Sequence, residues 1–410
     1  MTRRMFSVIA VVFLVFAACS DDKPKTQAGS SSAPSTKAAA VTVQVDNKTD
    51  DFNFEALSYY PNELTAAQGS TVKFHSNFAG EPHTVTFGAS VDKAAAISKG
   101  LTPEQQNGPP PPEVQALKIP FVIDFDTADF SDPGSIKFNQ SAAQPCVVKA
   151  GEFAPGVEPC PVKSADAFDG TQAFYNSGLL EADQTFELKL ADNIPPGVYN
   201  YFCAFHGPEM SGKVNVVAKG DATAQDAAAV DAAGKKQLAD DVAKVKPLLD
   251  QAKTDVKPGE VKAGVAPDQE PVGALDFVPA DTSIPVGGSV TWNLSFHTVA
   301  FNAPEDARPD VAKDADGTWH FNAKAFAPVG FTPPPPPPDS GGNGPPASDA
   351  PPPPPRNVDG GTFDGTGFYN SGSLQTQNED VFFKLTFSKA GTYKYICLIH
   401  PDMKGTVKVG

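Results

Sequence analysis

Two segments of the chain, residues 195–216 and 389–409, have nearly the same sequence. The first is "PPGVYNYFCAFHGPEMSGKVNV" and the second is "KAGTYKYICLIHPDMKGTVKV". Each has a strand-like run that ends in a cysteine, followed by a histidine, a methionine and a second strand-like run. Cys203 and Cys397 are 194 positions apart, and so are His206 and His400. The chain therefore contains a tandem duplication.

The duplication extends to other segments of each half. The motif "FDGTQAFYNSGLL" begins at Phe168 and "FDGTGFYNSGSL" begins at Phe363. Further upstream, "YYPNELTAAQGSTVKFHSNFAGEPHTVTF" parallels "FVPADTSIPVGGSVTWNLSFHTVAF". Both upstream segments have a glycine-containing turn followed by period-two alternation, at 72–74 and 290–292, as in half-buried antiparallel strands. We therefore predict an all-β fold with two β-sandwich domains.

Length and composition agree with two domains. At 410 residues the chain exceeds the usual size of a single core, and its 41 prolines and 34 glycines favour strands joined by frequent turns. We predict the first domain at 41–219, a linker at 220–262 and the second domain at 263–410. Each domain carries a long insertion, 88–166 or 302–361, with proline runs that favour polyproline II. The insertions are expected at the surface, as spacers or as recognition arms.

The linker has an apolar face of helical spacing. Its apolar residues recur at intervals of eight, four, three and four, namely Val230, Leu238, Val242, Val245 and Leu249. Gly234 and Pro247 would weaken or kink a helix here, so the sequence is compatible with one helix and with two shorter ones. Either arrangement would set the distance between the domains.

Residues 1–18 have the pattern of a signal peptide. Two arginines precede a fourteen-residue apolar run, which is too short to span a bilayer. The tetrapeptide "FAAC" at 16–19 resembles the lipobox of bacterial lipoproteins, which implies that Cys19 is lipidated and becomes the mature N-terminus. Ordinary secretion with cleavage near Ala18 is the alternative. Because residues 19–40 read as a flexible tether, we expect an extracytoplasmic protein, anchored to the cell membrane by lipid.

The charge balance bears on the partners. Removal of the signal peptide leaves 30 basic and 48 acidic residues, a net charge of −18. This disfavours nucleic acid and favours a protein partner with a cationic surface, such as a c-type cytochrome or a membrane oxidoreductase.

Four cysteines follow Cys19, in a compartment that is oxidising if the chain is exported. Cys146 and Cys160 flank a thirteen-residue segment and most simply form a disulfide, with free thiols as the alternative. Cys203 and Cys397 remain, one near the end of each half.

Each half supplies a set of soft metal ligands. The two sets are His83, Cys203, His206 and Met210 in the first half, and His297, Cys397, His400 and Met403 in the second. The spacings are C-x2-H-x3-M and C-x2-H-x2-M. A copper ion that cycles between Cu(I) and Cu(II) suits a thiolate, two imidazoles and a weak thioether, whereas zinc gains nothing from the thioether. The pattern predicts one copper ion in each half.

The opposing interpretation is that the cysteines and methionines belong to the core and the histidines to the surface. The distribution of these residues disfavours it. Only two methionines follow the signal peptide, and both stand just behind a C-x-x-H motif. Four of the six histidines occupy ligand positions.

The chain resembles the cupredoxins, small blue copper proteins such as plastocyanin, amicyanin and halocyanin. The resemblance rests on "PHTVTF" and "FHTVAF" for the first ligand and on "YFCAFHGPEM" and "YICLIHPDM" for the others. It implies a Greek-key β-sandwich and a type 1 copper site in each half, with electron transfer as the activity. It also implies that the ring edges of His206 and His400 lie near the surface, as exits for electrons. Many members have asparagine after the first histidine, where this chain has Thr84 and Thr298, whose hydroxyls can form similar hydrogen bonds.

Tandem cupredoxin domains also form multicopper oxidases and copper nitrite reductases, whose H-x-H pairs hold catalytic copper between domains. This chain has no H-x-H sequence, and only His75 and His320 are left unassigned. We therefore expect an electron carrier with two type 1 copper ions and no enzymatic activity. A copper storage or delivery protein without a dedicated redox partner would use the same ligands and is the alternative.

Overall fold

The computed structural model places the described residues in one compact unit, Ala38–Gly410. The described residues are 40–76, 81–100, 111–123, 136–149, 160, 167–267, 270–294, 297–308, 310–334, 355–374, 380–400 and 402–410. The predicted signal peptide, the lipidation site Cys19 and all but the last residue of the predicted tether lie outside them.

The first half of the chain forms a β-sandwich. Its strands are β1 (Ala40–Val45), β2 (Phe54–Ala56), β3 (Tyr59–Tyr60), β4 (Glu63–Ala67), β5 (Thr71–Ser76), β6 (Thr86–Phe87), β7 (Cys146–Val148), β8 (Phe174–Asn176), β9 (Thr185–Lys189), β10 (Gly197–Cys203) and β11 (Gly207–Val217). One sheet has the order β3-β1-β5-β9 and the other β4-β11-β10-β6-β8-β7. The chain passes from one sheet to the other at every step between β3 and β6.

Alternating burial explains why these strands form a sandwich. In β5, Val72 and Phe74 point into the core, as the period-two pattern predicts. The ring of Phe74 lies 5.1 Å from that of Tyr201 in the opposite sheet and 6.0 Å from that of Phe87. Aromatic rings from both sheets therefore fill the space between them.

The second half repeats this architecture. Its strands are β12 (Glu260–Val265), β13 (Val272–Val278), β14 (Asp281–Ile284), β15 (Ser289–Asn293), β16 (Ala300–Phe301), β17 (Val311–Lys313), β18 (Trp319–Phe321), β19 (Arg356–Phe363), β20 (Tyr369–Asn370), β21 (Val381–Phe387), β22 (Gly391–Ile396) and β23 (Lys404–Val409). The sheets are β19-β21-β15-β12-β13-β2 and β14-β23-β22-β16-β20, and β17 and β18 form a separate hairpin. The predicted all-β class with two sandwich domains is confirmed.

The helices are α1 (Ala89–Ser98), α2 (Pro112–Gln115), α3 (Gln140–Ala143), α4 (Ala227–Thr254) and α5 (Ala323–Phe326), with a 3-10 turn at Glu305–Ala307. Among the described residues, none of the helices combines the length and the apolar character that crossing a bilayer requires.

The linker forms one continuous helix, α4, which runs through both Gly234 and Pro247. The alternative of two shorter helices is therefore wrong. Its first turn is capped by Asp226, whose carboxylate accepts a hydrogen bond from the amide of Ala229 at 2.8 Å. A Cβ atom at position 234 would lie 2.9 Å from the carbonyl group of Tyr60, so glycine allows the helix to pack directly on the chain there.

The predicted apolar face of α4 is confirmed. Val230, Val245 and Leu249 are buried, and Leu238 and Val242 pack, partly buried, against the cluster that contains Val245 and Leu249. That cluster also contains apolar residues of β2 and β13, so the helix lies against strands from both halves.

The two halves share a sheet. Strand β2, from the first half, pairs antiparallel with β13 at the edge of the second sandwich. Beside it, the Nδ2 atom of Asn53 donates to the carboxylate of Asp276 at 2.8 Å and to the carbonyl oxygen of Asp402 at 3.2 Å. The backbone pairing makes the two sandwiches one continuous structure.

The described parts of the two insertions pack against each other. The rings of Phe138 and Phe321 are 4.9 Å apart, and the Nε2 atom of Gln140 donates to the carbonyl oxygen of Trp319 at 2.9 Å. The spacer interpretation is therefore wrong for these parts, which form an interface between the halves. The prolines at 109–110 and 335–338 lie outside the described residues.

The four cysteines among the described residues are of two kinds. A disulfide joins Cys146 in β7 to Cys160, with the Cα atoms 5.6 Å apart. Cys203 and Cys397 are free and buried.

Candidate metal centre

The first cluster of candidate ligands lies between two strands and a turn. Cys203 ends β10, His206 follows in the turn, and His83 stands before β6, where its backbone pairs with Leu180. The Nδ1 atoms of the two histidines are 3.1 Å apart, and the sulfur of Cys203 lies 3.6 Å from Nδ1 of His206. One nitrogen from each ring and the thiol therefore converge on one point.

The second cluster has the same arrangement. The Nδ1 atoms of His297 and His400 are 2.8 Å apart. The sulfur of Cys397 lies 4.0 Å from Nδ1 of His297 and 3.7 Å from Nδ1 of His400. All three side chains are buried.

These donor sets fit a cation. A ring nitrogen without a hydrogen is only an acceptor, so two such nitrogens that face each other need a proton or a metal ion between them. The neighbouring thiol adds a soft ligand that binds metals as the thiolate. The donor atoms of each cluster all lie within 4.8 Å of one another.

The two methionines are buried in the same regions. Met210 lies in β11, which pairs with the strand that carries Cys203. Met403 is tied to the second cluster through its backbone, since its amide donates to His400 at 2.9 Å and its carbonyl accepts from the amide of Cys397 at 3.0 Å. Both side chains are completely buried.

Hydrogen bonds hold each cysteine sulfur. The amide of Thr84 donates to the sulfur of Cys203 at 3.3 Å, and the amide of Thr298 donates to that of Cys397 at 3.4 Å. In the second half the amide of His400 also donates to this sulfur, at 3.4 Å. One amide thus donates to the sulfur of Cys203 and two donate to that of Cys397, and such donors stabilise negative charge on sulfur.

The threonine hydroxyls brace the residues after the cysteines. The Oγ1 atom of Thr84 accepts from the amide of Ala204 at 2.6 Å, and that of Thr298 accepts from the amide of Leu398 at 2.8 Å. Threonine therefore forms the hydrogen bond that was expected of it at the position where many cupredoxins have asparagine.

The environment favours thiolates. Burial raises the pKa of the Cys203 thiol, but the hydrogen bonds and charges of His206 and His83 outweigh burial and hold this pKa well below its ordinary value. The pKa of Cys397 is lowered in the same way, against burial, by His297 and His400. The metal-binding form of both cysteines is thus the stable one.

Carboxylates stand behind three of the four imidazoles. The Nε2 atom of His83 lies 3.5 Å from Asp46, and that of His206 lies 2.8 Å from Glu81. The Nε2 atom of His400 lies 3.4 Å from both Glu55 and Glu81. The contact of His206 with Glu81 is a hydrogen bond, and metal-binding histidines commonly donate their second N–H to a carboxylate in this way, which fixes the tautomer and the ring orientation.

These carboxylates shift the histidine pKa values. Burial lowers the pKa of His83, but the carboxylate of Asp46, 3.5 Å from its Nε2 atom, and the nearby Cys203 raise it to about 9. Burial raises the pKa of Glu81, but His206 and His400 outweigh it and hold this pKa well below its ordinary value. These two histidines therefore favour the carboxylate form of Glu81, whose side chain is 15% exposed.

Sequence reasoning missed Asp46, Glu55 and Glu81. The only local signal for Glu81 is its position two residues before His83 in "GEPHTV". The corresponding segment of the second half is "LSFHTV", so the repeat does not mark the position.

The repeated "FYNSG" motif supports the first histidine of each half. The hydroxyl of Ser177 accepts from the amide of Val85 at 2.8 Å, and that of Ser371 accepts from the amide of Val299 at 2.8 Å. Both amides lie two residues after a candidate ligand. The duplication of this motif therefore reflects a contact that positions His83 and His297.

His75 and His320 lie apart from both clusters. The Nδ1 atom of His75 contacts the hydroxyl of Thr185 at 2.9 Å, and Nε2 of His320 contacts Asp314 at 3.2 Å. Neither belongs to a group of potential metal ligands among the described residues.

The expected exposure of His206 and His400 is wrong. Their side chains are 12% and 5% exposed. The ring of Phe205 lies 4.8 Å from that of His206 and is itself covered by Phe138, from the first insertion, at 6.0 Å. Asp310, from the second insertion, is buried near His400. The insertions and the opposite half cover ring edges that the resemblance placed at the surface.

No protein-family model and no curated protein matches the chain. Among solved structures, it is similar to an oxidised mutant of amicyanin, with 15% identity over 43% of this chain and 82% of that chain and a TM-score of 0.20. It is also similar to reduced auracyanin from the photosynthetic bacterium Roseiflexus castenholzii, with 14% identity over 44% of this chain and 98% of that chain and a TM-score of 0.21. Similarity at these TM-scores carries no weight for the function.

Fold and site together define the class of this protein. It is a chain of two β-sandwiches, each of which encloses one cysteine and two histidines in a buried cluster suited to a metal ion.

Proposed function

We propose that the chain is a copper-binding electron-transfer protein with two type 1 sites. His83, Cys203, His206 and Met210 bind one ion, and His297, Cys397, His400 and Met403 bind the other. The observation that carries the proposal is the convergence of a thiol and two imidazole nitrogens within 4.8 Å, once in each sandwich. A buried methionine follows each cluster.

The donor chemistry selects the metal. Thiolate, two imidazoles and a weak thioether suit copper, and zinc gains nothing from the thioether. When bound, copper supplies a reversible one-electron change between Cu(I) and Cu(II).

The residues around each cluster favour rapid electron transfer. The amide donors of Thr84 and Thr298 fix the sulfurs, and Asp46 and Glu81 fix the rings of His83 and His206. With a proton held on Nε2, the lone pair of Nδ1 faces the metal position. Because the ligands stand on paired strands and braced turns, they need little rearrangement when the charge of the site changes.

We further propose that the protein acts outside the cytoplasm and is tethered to the membrane through Cys19. The apolar run and "FAAC" support this location. The net charge of −18 after removal of the signal peptide supports a cationic redox partner, such as a c-type cytochrome or a membrane oxidoreductase.

We propose no enzymatic activity. The sequence lacks H-x-H pairs, and His75 and His320 stand away from both clusters. A catalytic copper between the halves would need histidines beyond those already assigned.

Absorption and voltammetry of the copper-loaded protein test this proposal. An electron carrier is expected to show an intense thiolate-to-copper band near about 600 nm and fast, reversible electrochemistry. Absence of the band would exclude type 1 sites. A slow or irreversible response with easy loss of copper would favour the storage or delivery function instead.

A further inference from the structure

The side chain of Glu81 lies between the two clusters. Its Oε2 atom is 2.8 Å from Nε2 of His206, in the same half. Its Oε1 atom is 3.4 Å from Nε2 of His400, in the other half. One carboxylate thus contacts one candidate copper ligand from each sandwich.

We propose that Glu81 is the link through which the two copper sites exchange electrons within one chain. The proposal rests on the proposed function. In this exchange one electron passes between His206 and His400 by way of Glu81, with oxidation of Cu(I) in one half balanced by reduction of Cu(II) in the other. The protons on the two Nε2 atoms stay in place, and no external oxidant or reductant takes part.

The orientation of the rings supports this route. In both histidines Nδ1 faces the cluster of its own half, and Nε2 on the other side of the ring faces Glu81. The path between the clusters therefore consists of an imidazole, a carboxylate and a second imidazole. The contact of Glu81 with His206 is a hydrogen bond of 2.8 Å, and that with His400 is 3.4 Å long.

The burial of these two rings also favours electron exchange within the chain. With side chains 12% and 5% exposed, His206 and His400 offer little surface to an external protein. Phe205 covers the first ring, and Asp310 is buried near the second. The ring edges are directed at the other half of the chain and away from solvent.

Strand pairing fixes the geometry of the link. Glu55 lies in β2, opposite Gly273 of β13, and its carboxylate is 3.4 Å from Nε2 of His400. A residue of the first half therefore holds the ring of the second half while the backbone joins the two sheets. The pairing of β2 with β13 therefore fixes how the two sandwiches meet, and with it the contact between Glu81 and His400.

Electron equilibration in half-reduced protein tests the link. The absorption and paramagnetic resonance signals of each site are first assigned with the variants Cys203→Ser and Cys397→Ser. A light pulse then adds one electron to the protein with both sites oxidised, and the signals of the two sites are followed over time. We expect Glu81→Leu to slow the exchange by about tenfold or more. Glu81→Gln keeps one acceptor oxygen and is expected to give an intermediate rate.

The matched control is Glu113→Gln. Glu113 is an exposed carboxylate in α2 of the same half, so the variant makes the same charge change away from the sites. Its exchange rate should equal that of the unmodified protein.

A second measurement reports on the hydrogen bonds themselves. In the fully reduced, diamagnetic protein, the Nε2 protons of His206 and His400 should exchange slowly with solvent in nuclear magnetic resonance spectra. The His206 proton should exchange rapidly in Glu81→Leu, and the His400 proton should be less affected because Glu55 stays 3.4 Å from Nε2 of that ring. This readout does not depend on electron-transfer rates.

The outcomes separate the two proposals. If the unmodified protein lacks two copper ions with the thiolate band, the proposed function fails. If both ions are bound and Glu81→Leu exchanges electrons at the unmodified rate, the link fails and the function stands. If Glu81→Leu does not hold both ions, Glu81→Gln decides, and an unmodified rate in that variant overturns the link.

Discussion

Thr84 holds Cys203 from two sides. Its amide donates to the cysteine sulfur at 3.3 Å, and its hydroxyl accepts from the amide of the next residue, Ala204, at 2.6 Å. Thr298 repeats both contacts around Cys397. A single residue, next to the first histidine, therefore holds both the cysteine and the turn that leads to the second histidine.

Replacing this hydroxyl should destabilise the copper-free protein. In Thr84→Val the amide of Ala204 is buried without its acceptor, which costs about 1–3 kcal/mol. Urea unfolding measures the loss. Thr84→Ser keeps the hydroxyl and should retain most of the stability. Equal stability of the valine and serine variants would show that the hydrogen bond is not needed.

A substitution at Gly264 should abolish copper binding at the second site. Gly264 has φ of +78°, and a Cβ atom there would lie 2.3 Å from Nε2 of His297. Gly264→Ala must therefore displace this ring. We expect the variant to bind one copper ion with the first site intact, as measured by metal analysis and absorption.

Gly287→Ala is the control for backbone strain. Gly287 has φ of +80°, but nothing lies within 4 Å of its Cβ position. This variant should retain both copper ions despite the similar backbone conformation. If Gly264→Ala also retains two with unchanged affinity, His297 does not bind metal as described.

Asp310 should give stability a pH dependence. Burial, with the charge of Glu81 as the next cause, raises its pKa from the ordinary 3.8 to about 8, against the opposing effect of His400. Between these values the folded state holds a proton that the unfolded state has released, so this group makes stability fall as pH rises, by about 1.4 kcal/mol per pH unit.

Asp310→Asn removes this effect, because asparagine stays neutral. In urea unfolding of the copper-free protein, the stability advantage of the variant should be small near pH 4 and should grow up to about pH 8. An advantage that is constant over this range, or that shrinks with rising pH, would contradict the assignment.

Local patterns predicted much of the fold and the candidate site. Period-two alternation placed Val72 and Phe74 on the inner face of a strand, and 3.6-residue periodicity placed Val230 and Leu249 on the buried face of α4. The C-x2-H spacing was enough to predict that the cysteine and histidine side chains lie together, because a strand end and one turn bring them to the same place. The structure joins to each such pair the predicted distant histidine.

Contacts between the halves could not be predicted in this way. Strand β2 has three residues, and nothing within it indicates that it pairs with β13. Glu81 has no counterpart in the repeat, so the duplication could not mark it. The covered edge of His206 depends on Phe138, which stands in an insertion that the resemblance does not explain. The predicted domain bounds stay predictions.

Copper stoichiometry tests the central claim, two separate sites in one chain, most directly. The unmodified protein is predicted to bind two copper ions, Cys203→Ser and Cys397→Ser to retain one type 1 ion each, and the double variant to retain none, with the thiolate band falling in the same proportion. Loss of both type 1 ions in either single variant, or one ion in the unmodified protein, would contradict two independent sites.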